Sequence, residues 1–219
     1  MVCTRTVVIC LWCLLTTHLA SAAEPPQILA AGDWSKPVAD TRGYAVRGRL
    51  VLCEHPRDDA SREVVTCIEL QEASDFVGED MQVYCEIARR DFRPEHKLGL
   101  RCELRDPDGK VVPTQPFPFG GGVPHSRWAT LSKDTTIRLR TTPFGIRSED
   151  GITICPDLGS RWLVARDDRR EYHLSGTFTA DPAKENMPPE KGHVWRGTIE
   201  LPALTIRYQD KPAAGANAK

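Results

Sequence analysis

The chain has little net charge and no long apolar run beyond its first residues. It carries 29 basic and 30 acidic side chains, a formal net charge of −1 over 219 residues. A balance this close to neutral gives no general reason to expect nucleic acid or an anionic membrane as a partner. A membrane span takes about 20 apolar residues, and no segment after residue 22 provides one. The sequence therefore predicts neither nucleic-acid binding nor a later membrane span.

The motifs of common catalytic and metal sites are also missing after residue 22. There is no Gly-x-Ser-x-Gly elbow, His-Glu-x-x-His or Cys-x-x-Cys there. Cys53 and His55 share a strand face and could bind copper or zinc, but only with a partner from another strand that the sequence does not supply. We therefore expect no catalytic residue, no metal and no cofactor.

The first 22 residues have the layout of a secretory signal peptide. Arg5 gives a positive start, residues 7–15 are apolar, and residues 20–22 are small, as at a cleavage site. An uncleaved N-terminal anchor is the alternative. The chain has no Asn-x-Ser/Thr glycosylation site, which fits a bacterial exported protein. We expect a secreted or periplasmic protein.

Apolar and polar residues alternate with a period of two along most of the remaining chain, as in half-buried strands. No window of ten or more residues shows a helical stripe. The alternating segments are 44–52, 64–71, 81–88, 98–105, 135–142, 152–155, 161–165, 172–180 and 194–202. They predict an all-β fold: an antiparallel β-sandwich of eight to ten strands with an immunoglobulin-like layout. A barrel is the alternative.

The ends and turns divide the chain further. We expect an N-terminal extension over 23–40, one sandwich domain over 41–208 and a disordered tail over 209–219. Asp-Pro-Asp-Gly at 106–109 predicts a type I turn, followed by a return strand from 110 to 113. The segments LSGTFT (174–179) and WRGTIE (195–200) predict a hairpin, with glycines where two backbones or a large ring approach closely.

Five cysteines follow residue 22, and the alternation assigns each to a strand face. Cys85 and Cys102 fall on the core faces, whereas Cys53, Cys67 and Cys155 fall on the opposite faces. Cysteines on one face of a sheet can pair, so we expect disulfides Cys85–Cys102 and Cys53–Cys67, with Cys155 unpaired. The alternative is that Cys85 and Cys102 are buried only as small apolar residues.

Binding residues are expected on loops. The segment PFPFGGGVPHSRW (116–128) lacks the Gly-Lys-Ser/Thr ending of a phosphate loop, so it predicts a connection between strands. His125, Arg127 and Trp128 could contact a ligand there, and Trp34 is a second loop tryptophan able to contact a protein or glycan. Trp162 and Trp195 lie in predicted strands and are expected in the core or at a sheet edge.

Charged side chains alternate with apolar ones on the outward faces of several strands. Three outward arginine pairs could form a basic stripe if their strands are neighbours, but cross-strand pairing with acidic residues is the favoured use. The pairs are Arg47/Arg49, Arg101/Arg105 and Arg138/Arg140.

The pattern CELRDPDGKVV (102–112), then a glycine-rich loop with a tryptophan, then LSGTFT and WRGTIELPALTI (195–206), resembles exported all-β proteins of planctomycete-type bacteria. The resemblance spans roughly residues 40 to 207. It implies export and a β-sandwich, and it implies no catalytic residue.

We therefore expect an exported, non-catalytic β-sandwich that acts as a binding or structural module. Two alternatives stay open. One is a secreted hydrolase on a sandwich, whose two carboxylates are brought together by folding. The other is an inhibitor or partner subunit that presents a loop to another protein.

Overall fold

The computed structural model describes residues 26–56, 62–76, 78–86, 99–115, 126–141, 145–157, 160–182 and 192–208. These residues form fourteen β-strands and no helix. The strands are β1 (Gln27–Ala31), β2 (Val38–Ala39), β3 (Ala45–Pro56), β4 (Arg62–Glu72), β5 (Met81–Glu86), β6 (Leu100–Arg105), β7 (Ser126–Leu131), β8 (Thr136–Arg140), β9 (Gly145–Arg147), β10 (Gly151–Asp157), β11 (Ser160–Ala165), β12 (Tyr172–Ala180), β13 (His193–Trp195) and β14 (Gly197–Ile206). Over these ranges no helix is long and apolar enough to cross a membrane.

The strands form an all-β sandwich, as the alternation predicts. One layer is an eight-stranded sheet with the order β1-β3-β4-β9-β10-β11, in which β2 also pairs with β3 and β8 with β4. Two three-stranded sheets, β14-β12-β6 and β13-β5-β7, complete the fold. β14 packs on β3, and β6 packs on β10. All pairings are antiparallel except β13 with β5, which run parallel.

The longest pairing, β3 with β4, shows why the period of two specifies the layers. Leu50 pairs with Ile68 and Leu52 with Thr66, while the residues between them point to the other side. Leu50, Leu52 and Ile68 are at most 1% exposed and belong to the main core. A one-residue slip would turn Arg49 and Glu69 toward the core, so the charged positions fix the register.

The predicted antiparallel pairing of β12 with β14 is present, although β13 lies between them in the chain, and its glycines lie where the sequence requires space. Phe178 pairs with Ile199. A Cβ at Gly176 would lie 2.8 Å from the backbone oxygen of Arg101, and one at Gly197 would lie 2.5 Å from the ring of Trp195. The two glycines therefore admit a neighbouring backbone and a large ring, as predicted.

The turn after β6 also agrees with its sequence, but the return strand is shorter than predicted. Asp106 accepts the backbone N–H of Gly109 at 2.9 Å, and Gly109 has a φ of 79°. After the turn, Val111 makes one isolated bridge to Arg105, and no strand of the described chain covers 110–113. Pro113 is consistent with the early end, because proline cannot donate to a ladder.

Several strands differ from the sequence prediction. The alternation of apolar and polar residues does not predict β1, β2, β7 and β9. These strands are short or follow turn-rich segments. The predicted strand 194–202 is two strands, because the chain changes sheets between Trp195 and Gly197. The N-terminal extension joins the sheet through β1 and β2. The predicted signal peptide and C-terminal tail lie outside the described residues.

Candidate functional site

The outward surface of three neighbouring strands brings two of the predicted arginine pairs together. β4 lies between β3 and β8, so Arg49 stands opposite Glu69 and Glu69 opposite Arg138. The third pair, Arg101/Arg105, lies on β6 in another sheet. We call this surface the outer face; it consists of Arg47, Arg49, Val51 and Cys53 on β3, Glu63, Val65, Cys67, Glu69 and Gln71 on β4, and Arg138 and Arg140 on β8.

Glu69 is the centre of the charged part of the outer face. Its side chain is 5% exposed, and it accepts hydrogen bonds from Arg49 Nε at 2.7 Å and Arg138 Nε at 2.8 Å. Burial raises the pKa of Glu69, but the hydrogen bonds and positive charges of Arg138 and Arg49 outweigh it, so the pKa is lowered. Cross-strand charge pairing, the use that the sequence favours, is therefore present here.

The outer face nevertheless carries more positive than negative charge. It has four arginines and two glutamates. Arg49 and Arg138 share Glu69, and Arg140 pairs with Glu63. Arg47 donates to the neutral amide of Gln71 at 2.6 and 2.9 Å. The side chains of Arg138 and Arg140 are 35% and 48% exposed. Their guanidinium groups thus keep contact with solvent while the acidic partners are largely covered.

Trp34 lies over the arginines of β3. Its ring centre is 4.6 Å from the guanidinium carbon of Arg49 and 5.1 Å from that of Arg47, within the range of cation–π attraction. The next residue, Ser35, is buried and holds this segment against β3: its N–H donates to the Gly48 carbonyl at 2.8 Å, and its hydroxyl accepts the Gly48 N–H at 3.0 Å. The fold therefore fixes a half-buried tryptophan beside the arginines.

The other end of the outer face is apolar and contains two thiols. Val51, Cys53, Val65 and Cys67 form a separate buried cluster, each at most 3% exposed. Cys53 is paired with Val65 and Cys67 with Val51, so the cysteines lie on a diagonal. Their thiols are hydrogen-bonded to each other, and this bond lowers the pKa of Cys53 to about 7 while it raises that of Cys67.

The predicted faces of four cysteines agree with the structure, but no disulfide bond joins any pair of the described cysteines. Cys85 and Cys102 reach the main core from strands of different sheets. For Cys53 and Cys67 the register gives a reason: diagonal neighbours have Cα atoms roughly 7–8 Å apart. Most disulfides span less than that.

Three of the four predicted binding residues lie in the described part of the chain, in two different places. Trp128 lies in β7 rather than in a loop, opposite Tyr84, with the two ring centres 5.2 Å apart. Arg127 is in the same strand opposite Cys85. His125 and the glycine run lie outside the described residues. Trp34 is in the predicted loop, between β1 and β2. Trp162 and Trp195 are buried in the core, as expected.

The two buried glutamates of the described chain are held by arginines and not by each other. Glu54 is 2% exposed and lies between Arg62, at 3.0 Å, and Arg147. Glu69 has two arginine partners in the same way. At Glu69 the arginines lower the pKa of the carboxyl.

A buried histidine that sequence reasoning passed over joins β13 to the turn before β3. His193 Nδ1 accepts from Arg42 at 2.8 Å, so its Nε2 carries the proton that it donates to Asp40. Its ring stacks on Tyr44 with the centres 4.1 Å apart. Burial raises the pKa of Asp40, but its hydrogen bonds lower the pKa overall. No sequence signal could have joined residues 153 positions apart. Both ring nitrogens are engaged, so the cluster is suited to joining strands.

A small cavity opens between β1, β9 and β14. Its volume is about 190 Å³, and its lining includes Leu29, Leu52, Arg147 and Arg207. This is below the roughly 300–1,000 Å³ of typical small-molecule sites. Arg147 is already held by Glu54 and lies over the ring of Tyr208. Across the described ranges, no three His, Cys, Asp or Glu side chains are grouped so as to hold a metal ion.

Comparisons with family models, with curated proteins and with solved structures find no match for the chain. The outer face is therefore interpreted from its own chemistry.

Proposed function

We propose that the protein is an exported, non-catalytic β-sandwich that binds an acidic polysaccharide through the outer face. The observation that carries the proposal is Trp34 lying over Arg47 and Arg49, beside the arginines of β8. An indole ring offers a flat apolar surface on which a sugar ring can stack. Guanidinium groups bind carboxylate and sulfate in a bidentate manner.

The distribution of charge supports an anionic ligand. The whole chain has a formal charge of −1, yet the outer face has four arginines and two glutamates. A guanidinium has five N–H donors, and Arg138 directs its Nε and one terminal nitrogen to Glu69. Glu69 thereby orients Arg138 and leaves it donors for a ligand.

The shape of the site supports a polymer rather than a small molecule. The residues that carry the charge lie on three adjacent strands, and neighbouring strands are about 4.8 Å apart. β3 and β8 are therefore about 10 Å apart, so the two arginine pairs can contact successive units of a chain. Export is supported by the layout of residues 1–22, since acidic polysaccharides are found outside the cell membrane.

The experiment compares binding of the purified protein to an unbranched uronic-acid polysaccharide and to a neutral glucan of similar length, by titration calorimetry. We expect binding to the uronic-acid chain only, weakening as salt is added. Trp34→Ala should weaken it by about tenfold or more. Trp128→Ala is the matched control, because Trp128 packs on Tyr84 in another sheet. Equal binding of the neutral glucan, or wild-type binding by Trp34→Ala, would contradict the proposal.

A further inference from the structure

The thiol pair of the outer face has the features of a ligand site. Cys53 is fully buried and Cys67 is 3% exposed, and both lie between the side chains of Val51 and Val65. The register of β3 and β4 places the two cysteines as diagonal neighbours on one face, within one buried cluster. Val51 and Val65 are as buried as the two cysteines, so two soft donors lie side by side away from water.

We propose that Cys53 and Cys67 bind one copper(I) ion between their sulfur atoms. Thiolate sulfur is a soft ligand and favours copper(I) over hard divalent cations. Copper(I) has a filled d shell and accepts two thiolates in a nearly linear arrangement. On binding, each thiol gives up its proton to solvent and each sulfur donates an electron pair to the metal, with no change of oxidation state.

The surroundings select against zinc. Zinc in proteins almost always takes four ligands, and the described residues around the pair provide no third. His55 shares the face of Cys53, but it lies opposite Glu63, on the side of Cys53 away from Cys67. The partner that the sequence could not supply for Cys53 is therefore Cys67, and the two thiols form a site without His55.

The register also disfavours a disulfide between Cys53 and Cys67, which is the alternative to metal binding. A disulfide needs Cα atoms about 4.4–6.8 Å apart, whereas diagonal residues of an antiparallel pair are roughly 7–8 Å apart. A metal ion between the sulfur atoms replaces one sulfur–sulfur bond by two metal–sulfur bonds, so the two sulfur atoms can stand farther apart than in a disulfide. The diagonal therefore suits a bridged pair better than a bonded one.

Nearby arginines balance the charge of the occupied site. Two thiolates and one copper(I) carry a net charge of −1, which is costly to bury unless it is paired. Arg138 acts electrostatically on both cysteines, and Arg140 stands directly opposite Cys67. Both side chains are more than one third exposed, so their positive charge lies at the solvent side of the pair.

The test is a competitive titration of the purified, fully reduced protein with copper(I) and a coloured copper(I) chelator, without oxygen. We expect one ion per chain to be withdrawn from the chelator. Cys53→Ser and Cys67→Ser should each weaken this uptake by at least about tenfold, and Cys102→Ser, on a strand of another sheet, should leave it unchanged. Uptake that is equal in all four proteins would overturn the proposal.

Two further measurements keep the test decisive if a serine variant does not fold. Copper X-ray absorption of the loaded wild-type protein should show two sulfur neighbours and the intense edge feature of linear copper(I). Three or four neighbours would overturn the proposal. Peptide mapping of the protein as isolated should find Cys53 and Cys67 unlinked, and a Cys53–Cys67 disulfide would overturn it as well. Neither readout depends on polysaccharide binding.

Discussion

Arg138 donates two hydrogen bonds to the same carboxylate oxygen of Glu69, from Nε at 2.8 Å and from a terminal nitrogen at 2.5 Å. The other carboxylate oxygen receives Arg49. One largely buried carboxylate thus joins β3, β4 and β8 through side chains, in addition to the backbone ladders. The acid that holds the three strands together is the same acid that orients the proposed binding arginines.

We predict that Glu69→Gln destabilises the fold by about 2–3 kcal/mol at neutral pH, because it leaves two neighbouring guanidinium groups without their counter-charge. The partial exposure of both arginines keeps the loss below that of a fully buried pair. Denaturant unfolding measures it. Glu103→Gln is the control, since Glu103 and Arg105 are both more than 40% exposed. Equal losses in the two variants would contradict the prediction.

The same carboxylate predicts a dependence of stability on pH. The pKa of Glu69 is lowered in the folded state from its ordinary value of 4.5. Its contribution is therefore fully present above about pH 4.5 and is lost as the pH falls through the lower, folded-state pKa. Unfolding free energies measured from pH 6 downward should fall less steeply in Glu69→Gln than in wild type. Parallel curves would assign the acid sensitivity to other groups.

Cys53 should ionise well below an ordinary thiol. Its pKa is about 7, because Cys67 donates a hydrogen bond to the thiolate, whereas the pKa of Cys67 is raised by the same partner. The pair should release its first proton near pH 7 and hold its second. A pH titration of the thiolate absorbance of the reduced protein would show this step. Cys53→Ser should remove it, and Cys102→Ser should keep it.

His193→Ala should destabilise the protein by about 2–3 kcal/mol. The change removes a stacked ring from Tyr44 and the hydrogen bond to Asp40 Oδ2, while Oδ1 keeps the backbone N–H groups of Arg42 and Tyr44. His173→Ala is the matched control, because His173 makes a 3.4 Å contact with Thr205 at an exposed site. Thermal unfolding of the two variants compares them, and a similar shift in both would show that the His193 cluster adds no special stability.

Gly176→Ala should be poorly tolerated. The added carbon would lie 2.8 Å from the carbonyl oxygen of Arg101, so the ladder between β6 and β12 must shift. We expect a loss of about 2–3 kcal/mol, as in overpacked cores. In Gly109→Ala the added carbon has no atom within 4 Å. The loss of stability should be about 1 kcal/mol, because the residue at 109 has a positive φ. Chemical denaturation should rank them in that order, and the reverse order would contradict the clash.

Much of the fold could be predicted because burial acts on alternate residues. In β12 burial alternates as the period of two predicts, whereas β4 is buried on both faces over residues 64–70. β9 is three residues long, which is too short for alternation to be visible. Trp128 was expected in a loop because proline and glycine precede it, yet β5 provides a ladder that extends to it.

The outer face could be predicted only in part. The sequence assigns Arg49, Arg138 and Cys53 to outward faces, since a face depends only on the local period. Which strands become neighbours depends on the whole topology, so the sequence could not place Arg138 across β4 from Arg49. Register is also a tertiary property. A two-residue offset decides whether Cys53 stands opposite Cys67 or diagonal to it.

The parallel pairing of β13 with β5 has a consequence for the rate of folding. His193 pairs with Met81, so this contact joins distant parts of the chain, and the next strand, β14, returns at once to the other three-stranded sheet. Closing so long a loop lowers the chain entropy before the contacts between β13 and β5 can offset this loss. We therefore expect the β5–β7 sheet to gain its third strand late, after β12 and β14 have paired.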